Sequence, residues 1–167
     1  MSTAPHRRMT EAEYLAIERA AATKSDFYAG EMYSMAGAKR NHNLIVANVV
    51  RHLGNQLAKS PCEVYPSDMR VKVTKSGLFT YPDVVVTCGQ PEFLDETQDT
   101  LLNPTLLVEV LSTSTASYDR GFKTARYRLL PSVREYVLIE QDQPLVELYR
   151  RANRNKWELE DASELTK

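Results

Sequence analysis

Cysteine is scarce in this chain: Cys62 and Cys88 are the only two, and they form no C-x-x-C motif. Two thiols so placed favour buried free cysteines in a reducing cytoplasm over a disulfide scaffold. Long apolar runs are also missing, because no stretch approaches the roughly 18 residues of a membrane span and none follows the opening MSTAPHRRMT. We therefore expect a cytoplasmic protein with no membrane partner.

The chain is almost neutral overall, because 21 basic and 22 acidic residues leave a formal charge of -1. No global positive field indicates nucleic acid, although a local basic surface remains open. The chain has only six glycines, 43% apolar residues and no low-complexity tract, which excludes a disordered or fibrous protein. Its 167 residues, without a repeat or a linker, predict one domain over 1–167.

The first half of the chain predicts two helices and a hairpin. Thr10 and Glu13 form a capping box that begins a helix over about 10–21. The segment FYAGEMYSMAG reads as a hairpin whose second strand begins at Glu31. Apolar residues then recur at helical spacing through NHNLIVANVVRHLGNQLAK, and this places His42 near the start of a long helix, on its buried side.

The second half predicts a strand, helix, strand core with a hairpin after it. MRVKVT alternates like a strand with one solvated face, whereas YPDVVVTC and TLLVEVL read as strands covered on both faces. In STASYDRGFKTARYRLL, helical spacing predicts a helix with an apolar face made by Tyr118, Phe122, Ala125 and Leu129. REYVLIE completes a parallel crossover, and LVELYRR with KWELE forms the terminal hairpin.

Two acids stand where a protein interior is expected. Glu109 lies in the middle of LLVEVL, and Asp83 begins the valine-rich strand of YPDVVV. A buried carboxylate costs several kcal/mol unless a cation or hydrogen bonds compensate it. If the two strands are neighbours, both acids converge at one end of the sheet, where oxygen donors suit Mg²⁺, with Mn²⁺ as a substitute.

The following helix supplies a positive charge. Asp119, Lys123 and Arg126 have i, i+4, i+7 spacing and form a polar stripe, with Lys123 close to where the Glu109 strand ends. Two acids and a lysine at a sheet edge are typical of phosphodiester hydrolysis. The metal polarises the phosphate and activates water, and the ammonium stabilises the developing charge.

These blocks resemble the Uma-two family of endonucleases, within the restriction-endonuclease-like superfamily that carries the PD-(D/E)xK signature. The resemblance rests on the order and spacing of GEMYSMAG, NHNLIVANVV, YPDVVVTC, LLVEVLSTSTASYDRGFKTARYRL and VREYVLIEQDQPLVELYRR. Pro82 and Asp83 match the first half of the signature. Glu109 matches the second half, but Leu111 stands where the lysine is usually found, and the family pattern places a lysine in the next helix, at Lys123.

The resemblance implies an α/β fold with a three-layer αβββαβ core, a mixed sheet and a C-terminal hairpin extension. It implies a metal-dependent endonuclease acting on DNA, in which Asp83 and Glu109 bind Mg²⁺ and Lys123 offsets the developing charge. The Val110 carbonyl and Glu31 are further candidate metal ligands, and His42 is a supporting residue. Cutting both strands with one site per chain would favour a symmetric homodimer.

Simpler interpretations stand beside each of these. Glu109 could form a structural ion pair with Arg120 or Arg126, and Asp83 could bond backbone N–H groups at its strand start. The whole chain could be a catalytically inactive nuclease fold that binds nucleic acid or protein. A basic patch could hold a phosphate backbone or be scattered solvated charge; its residues are Arg120, Arg126, Arg128, Arg150, Arg151, Arg154 and Lys156.

Overall fold

The computed structural model describes residues 8–154 and 156–163. It has four α-helical segments, α1 (Glu11–Ala20), α2 (Arg40–Leu57), α3 (Ala116–Tyr118) and α4 (Thr124–Tyr127), with a π-helical turn, Asp119–Lys123, joining α3 to α4. The strands are β1 (Ser25–Tyr28), β2 (Glu31–Ser34), β3 (Cys62–Pro66), β4 (Arg70–Val73), β5 (Leu78–Thr80), β6 (Val84–Cys88), β7 (Thr100–Leu101), β8 (Leu106–Leu111), β9 (Glu135–Glu140), β10 (Val146–Arg151) and β11 (Trp157–Ala162).

The strands form two mixed sheets. One has the order β2-β1-β5-β4-β7 and the other β11-β10-β9-β8-β6-β3. All neighbours are antiparallel except β4 with β7 and β8 with β9. The parallel pair β8 and β9 flanks the α3 to α4 segment, as a parallel crossover requires. The predicted mixed α/β fold and its C-terminal hairpin are confirmed, with a second sheet added.

The core lies in layers on both sides of the six-stranded sheet. The largest group of buried apolar side chains comes from both sheets and from the residues around α4, so the two sheets face each other across it. Helix α2 covers the opposite face of the six-stranded sheet, over Val84, Val108 and Val110. Helix α1 packs Tyr14 against Phe27 and Phe79 of the five-stranded sheet. The six-stranded sheet is therefore covered on both faces, which explains its valine- and leucine-rich strands.

Several local predictions hold. Thr10 caps α1 and forms the capping box with Glu13. The hairpin turns at Ala29 and Gly30, whose φ angles of 53° and 86° suit a left-handed turn. In α2 the predicted buried face is confirmed: Val46 is buried, and Ile45, Val49, Val50 and Leu53 pack on the same cluster.

The helix after β8 buries its predicted apolar face only in part. Ala125 and Leu129 are exposed, and Tyr118 and Phe122 are half-buried and stack on each other with ring centroids 5.1 Å apart. The polar stripe turns inward instead, because the π-helical turn widens the helix and changes which side chains face the sheet.

The prediction of two free cysteines is also wrong. Cys62 and Cys88 form a disulfide, and they are direct partners in the antiparallel pairing of β3 with β6, with Cα atoms 4.0 Å apart. The reason is an unpredicted element: CEVYP forms strand β3. Strands β5 and β7 were likewise missed, because three and two residues are too short to show a periodicity.

Within the described residues, no helix is long and apolar enough to cross a membrane.

Candidate active site

The two acids meet because β6 and β8 are antiparallel neighbours. Val84 pairs with Val108, so one step further along the ladder Asp83 lies across from Glu109. Val108 and Val110 pack against α2, and since side chains alternate along a strand, Glu109 points to the other face. That face carries the α3 to α4 segment. The predicted convergence of Asp83 and Glu109 at one sheet end is therefore present.

Glu109 lies inside the protein, only 4% exposed, and two donors satisfy one of its oxygens. The Lys123 ammonium lies 2.8 Å from Oε1, and the Tyr127 hydroxyl donates to the same atom over 3.0 Å. Among the described residues no hydrogen bond falls on Oε2. The carboxylate is thus anchored through one oxygen and retains the other for a further ligand.

Lys123 is buried between acids. Its Nζ lies 3.1 Å from Asp119 Oδ1 as well as 2.8 Å from Glu109 Oε1, and it also sits 5.6 Å from the centre of the Tyr118 ring. The Tyr118 hydroxyl in turn donates to Asp26 Oδ2 over 3.5 Å. A lysine is rarely so buried without paired charges, and here acids from three parts of the chain surround it. We call Glu109, Asp119, Asp26 and Lys123 the lysine cluster.

The π-helical turn gives the lysine cluster its shape. The Thr124 N–H bonds to the Asp119 carbonyl five residues back, and this carbonyl also accepts from the Thr124 hydroxyl over 2.9 Å and from the Tyr136 hydroxyl over 3.2 Å. Three donors on one carbonyl fix the widened turn. Single π-helical turns are frequent at functional sites, and this one places Asp119 and Lys123 on the buried side.

Asp83 stands at the rim of the same corner, with its side chain 16% exposed. Its Oδ2 accepts the Val110 N–H over 2.7 Å, and its Oδ1 lies 2.9 Å from His42 Nε2. His42 comes from the first turn of α2, so the helix that covers one face of the sheet orients the acid at its end. His42 and Asp83 are therefore brought together, as a pair beside the lysine cluster.

Charge is unevenly distributed over these groups. Burial works to lower the pKa of Lys123, but Glu109, Asp119 and Asp26 outweigh it and raise that pKa well above its usual value, so the ammonium stays charged. Burial raises the pKa of Asp26, and Lys123 opposes that rise. Burial likewise raises the pKa of Glu109, where Lys123 acts against it and the carboxylates Asp119 and Asp83 add to it. The single ammonium of Lys123 thus interacts electrostatically with three carboxyl groups, those of Glu109, Asp119 and Asp26.

At the rim, the hydrogen bond to Asp83 raises the pKa of His42, although burial acts in the opposite direction. The imidazolium form is favoured because its charge lies against a carboxylate. The two halves of the site therefore use different cations for their acids.

Glu31 is exposed at the start of β2, and its described contact is a hydrogen bond from the Tyr33 hydroxyl, 3.0 Å long. The acid that the first hairpin brings to the lysine cluster is Asp26, on the partner strand. Sequence reasoning missed Asp26 and did not assign Tyr127 to the site. Asp119 was visible only as the i, i+4 partner of Lys123.

The arginines proposed as simple partners for Glu109 pair with other groups. Arg120 bonds Glu140 and Glu147 over 2.7 and 2.8 Å. Arg126 donates to the Tyr28 hydroxyl and stacks 4.4 Å above the Phe122 ring. A structural ion pair of Glu109 with either of these arginines is not the arrangement found.

A divalent cation at this corner would have to be held by few protein ligands. Within residues 8–154 and 156–163, no group of three His, Cys, Asp or Glu residues is arranged to hold a metal alone. Two buried carboxylate oxygens nevertheless lack a hydrogen-bond partner: Asp26 Oδ1, and Asp119 Oδ1, which has only its ion pair with Lys123. The lysine cluster thus holds three carboxyl groups and one ammonium. Mg²⁺ is commonly held by one or two carboxylates plus water and substrate phosphate, and Asp83 and Glu109 would hold it here.

Comparisons with known proteins agree with this fold. The chain matches the model of the Uma2 family, described as "Putative restriction endonuclease", over residues 11–167. Two relatives from Synechocystis sp. (strain ATCC 27184 / PCC 6803 / Kazusa) are called "Uncharacterized protein sll1609" and "Uncharacterized protein slr1290". The first is 40% identical over 94% of this chain and 89% of its own length, and the second is 33% identical over 93% and 80%.

A solved structure has the same fold. It is described as a "putative nuclease belonging to DUF820" from Anabaena variabilis ATCC 29413; the TM-score is 0.74 at 18% identity, over 92% of this chain and 83% of that one. The family match over residues 11–167, with relatives that are 40% and 33% identical, shows that the chain belongs to the Uma2 family of restriction-endonuclease-like proteins.

Proposed function

We propose that the protein is a metal-dependent endonuclease that hydrolyses phosphodiester bonds in DNA. The supporting observation is the 2.8 Å contact between Lys123 and Glu109. Strand β8 has Leu111 where the PD-(D/E)xK signature has its lysine. Lys123, from the helical segment that follows, supplies the missing ammonium. Family membership and a nuclease-like fold support the same reaction class.

In this proposal each residue has a separate task. Asp83 and Glu109 would hold Mg²⁺, or Mn²⁺ in its place, and the Val110 carbonyl is a further candidate ligand. Lys123 opposes the rise in the pKa of Glu109 that burial causes, and it supplies positive charge as negative charge develops on the phosphate. His42 orients Asp83. When bound, the cation supplies Lewis acidity toward the scissile phosphate and the attacking water.

A plasmid-nicking assay with Mg²⁺ or Mn²⁺ tests the proposal. Asp83→Asn keeps the size of the side chain and removes its charge, so nicking should fall by more than about 100-fold, since even outer partners of metal ligands cost 10- to 100-fold. Asp68→Asn is the matched control, because Asp68 is an exposed acid paired with Lys24. Equal nicking by wild type and Asp83→Asn would point to a contaminant and refute the assignment.

The alternative function is a nuclease fold that binds nucleic acid without cutting it. One observation favours it: both oxygens of Asp83 already accept hydrogen bonds, from His42 and from the Val110 N–H. Titration with Mn²⁺ followed by electron paramagnetic resonance separates the two. The endonuclease should bind Mn²⁺, and Asp83→Asn should bind it more weakly. A wild-type protein that neither binds Mn²⁺ nor cuts DNA would favour the alternative.

A further inference from the structure

A positively charged cleft lies between the end of α4 and the terminal hairpin, on residues that the catalytic proposal does not use. It is open, has a volume of about 450 Å³, and is lined by Arg128, Arg154, Lys156 and Trp157. Arg128 directly follows α4, and the other three belong to the turn between β10 and β11 and to the start of β11. Three of its four lining side chains are cationic.

The wall of the cleft is built on aromatic rings. The guanidinium of Arg128 lies 5.4 Å from the centre of the Tyr149 ring and 5.7 Å from that of Trp157. The Arg151 guanidinium covers Trp157 at 4.4 Å. Arg151 also donates to the carbonyl oxygens of Val133 and Leu130 over 2.7 and 2.8 Å. Arg151 is thereby fixed beneath the cleft, and Arg128 and Trp157 line it together.

Positive charge in the cleft is incompletely neutralised. Of the seven residues in the sequence-predicted basic patch, Arg120 and Arg150 are each paired with two glutamates, and Lys156 is paired with Glu158. Arg128 and Arg154 have no carboxylate at ion-pair distance within the part of the chain that the structure describes. A guanidinium stacked on a ring still presents its N–H donors at its edge, where a phosphate can accept them.

Arg134 and Arg151 add positive charge near the cleft. Burial, and then the charge of Arg134, lowers the pKa of Arg151. Three members of the predicted patch, Arg128, Arg154 and Lys156, line this cleft. Of these, only Lys156 has a described carboxylate partner.

We propose that this cleft binds the phosphodiester backbone of a nucleic acid, with Arg128 and Arg154 as the phosphate contacts and Trp157 as the apolar wall. Guanidinium groups without a carboxylate partner can bind phosphate, and an aromatic side chain beside them can contact sugar or base. The choice of nucleic acid as the anion rests on the proposed endonuclease function. The cleft itself would be a binding surface for substrate outside the cutting site.

The chain carries its own probe, because Trp157 is its only tryptophan. A 20-nucleotide single strand and the matching duplex are titrated in EDTA while Trp157 fluorescence is followed. The wild type should show a saturable change. In the double variant Arg128→Gln with Arg154→Gln, affinity should fall by about tenfold or more. The slope of log K against log salt should also become shallower, by about 0.7 to 0.9 for each arginine that no longer binds a phosphate.

Arg150→Gln is the matched control, since Arg150 is an exposed arginine of β10 that pairs with Glu135 and Glu160 outside the cleft. It removes one positive charge and should change affinity less than either single variant of the cleft arginines. Urea denaturation confirms that each variant is folded. Equal losses in Arg150→Gln and in the cleft variants would mean a diffuse charge effect and overturn the proposal.

Two further arms separate this site from the catalytic one. Asp68→Asn, at an exposed acid paired with Lys24 that does not line the cleft, should bind the oligonucleotides in EDTA as the wild type does. If DNA were cleaved but Trp157 fluorescence did not respond, the binding cleft would be overturned and the proposed endonuclease function would remain. If Trp157 fluorescence responded but no DNA were cleaved, the endonuclease function would be overturned and the binding cleft would remain. A response to millimolar inorganic phosphate but to neither oligonucleotide would identify a small-anion site and also overturn the proposal.

Discussion

Asp83 and Glu109 are cross-strand neighbours, yet they are held in different ways. Glu109 is inside the protein and depends on an ammonium and a tyrosine hydroxyl. Asp83 is at the rim and depends on a backbone N–H and a histidine. The difference follows from exposure to solvent. An acid at the rim retains part of its hydration, whereas an interior acid depends on protein groups that replace it. Depth therefore determines how much support each acid requires.

This contrast implies a division of labour. Changes in the lysine cluster should mainly affect folding stability, because they leave buried charge unpaired. Changes at the Asp83 and His42 pair should cost less stability and be visible in pH dependence. Three substitutions test this division, and their expected effects decrease in the order given.

Lys123→Met should have the largest effect. It removes the only ammonium that the described residues place beside Glu109 and Asp119, while keeping a long apolar side chain. Breaking a buried ion pair by removing one partner costs about 3–5 kcal/mol, so the free energy of unfolding should fall by that amount. Urea denaturation followed by circular dichroism measures it.

The control for Lys123→Met is Lys156→Met, at an exposed lysine paired with Glu158. A fully exposed pair is screened by solvent and contributes little stability, so this variant should unfold almost as the wild type does. If both variants lost the same stability, the burial of Lys123 would have no special energetic role and the contrast would fail.

Tyr127→Phe should have an intermediate effect. It deletes the hydroxyl that donates to Glu109 Oε1 and leaves the ring in the core. Loss of a hydrogen bond to a buried charged group costs about 1.5–3 kcal/mol. Thermal and urea unfolding measure the loss against Tyr33→Phe, whose hydroxyl bonds the exposed Glu31. A loss no larger than that of Tyr33→Phe would argue that Lys123 alone supports Glu109.

The smallest effect is expected at the rim, and it should depend on pH. Asp83 raises the pKa of His42 in the folded state. The stabilisation is then fully present below the unfolded pKa of about 6.5 and is lost as pH rises through the higher folded value. The difference in unfolding free energy between wild type and His42→Ala should be about 1 kcal/mol larger at pH 6 than at pH 9.

Unfolding measured across that pH range checks this. His52→Ala, at an exposed histidine of the same helix, controls for the loss of an imidazole. A His42→Ala difference that grew with pH would have the wrong sign and would contradict an imidazolium paired with Asp83.

Much of the site was predictable because its residues break a strong local pattern. Glu109 interrupts an apolar strand and Asp83 begins one, so each is conspicuous in the sequence. Their meeting follows from the pairing of β6 with β8, which the valine and leucine content of both strands favours. Lys123 could be placed near the strand end by spacing, although which side of the helix faced inward could not.

The rest depended on contacts between distant segments. Asp26 lies in a short strand with no pattern to mark it, and it reaches the lysine cluster only because the five-stranded sheet faces the α3 to α4 segment. The cysteines could not be paired without strand β3, which has no strict alternation. The inward turn of the polar stripe depends on a π-helical hydrogen bond, which helical periodicity does not represent.

That π-helical turn, Asp119–Lys123, has a consequence for how such a site can arise. A π-helical turn is closed by a hydrogen bond that reaches five residues back instead of four, so the insertion of one residue can form it. The same insertion rotates the following side chains relative to those before it. A lysine that faced solvent could thus be brought against a strand carboxylate in one genetic step. In a lineage whose strand carries leucine at the usual lysine position, this is a short route by which the charge could be regained from a neighbouring helix.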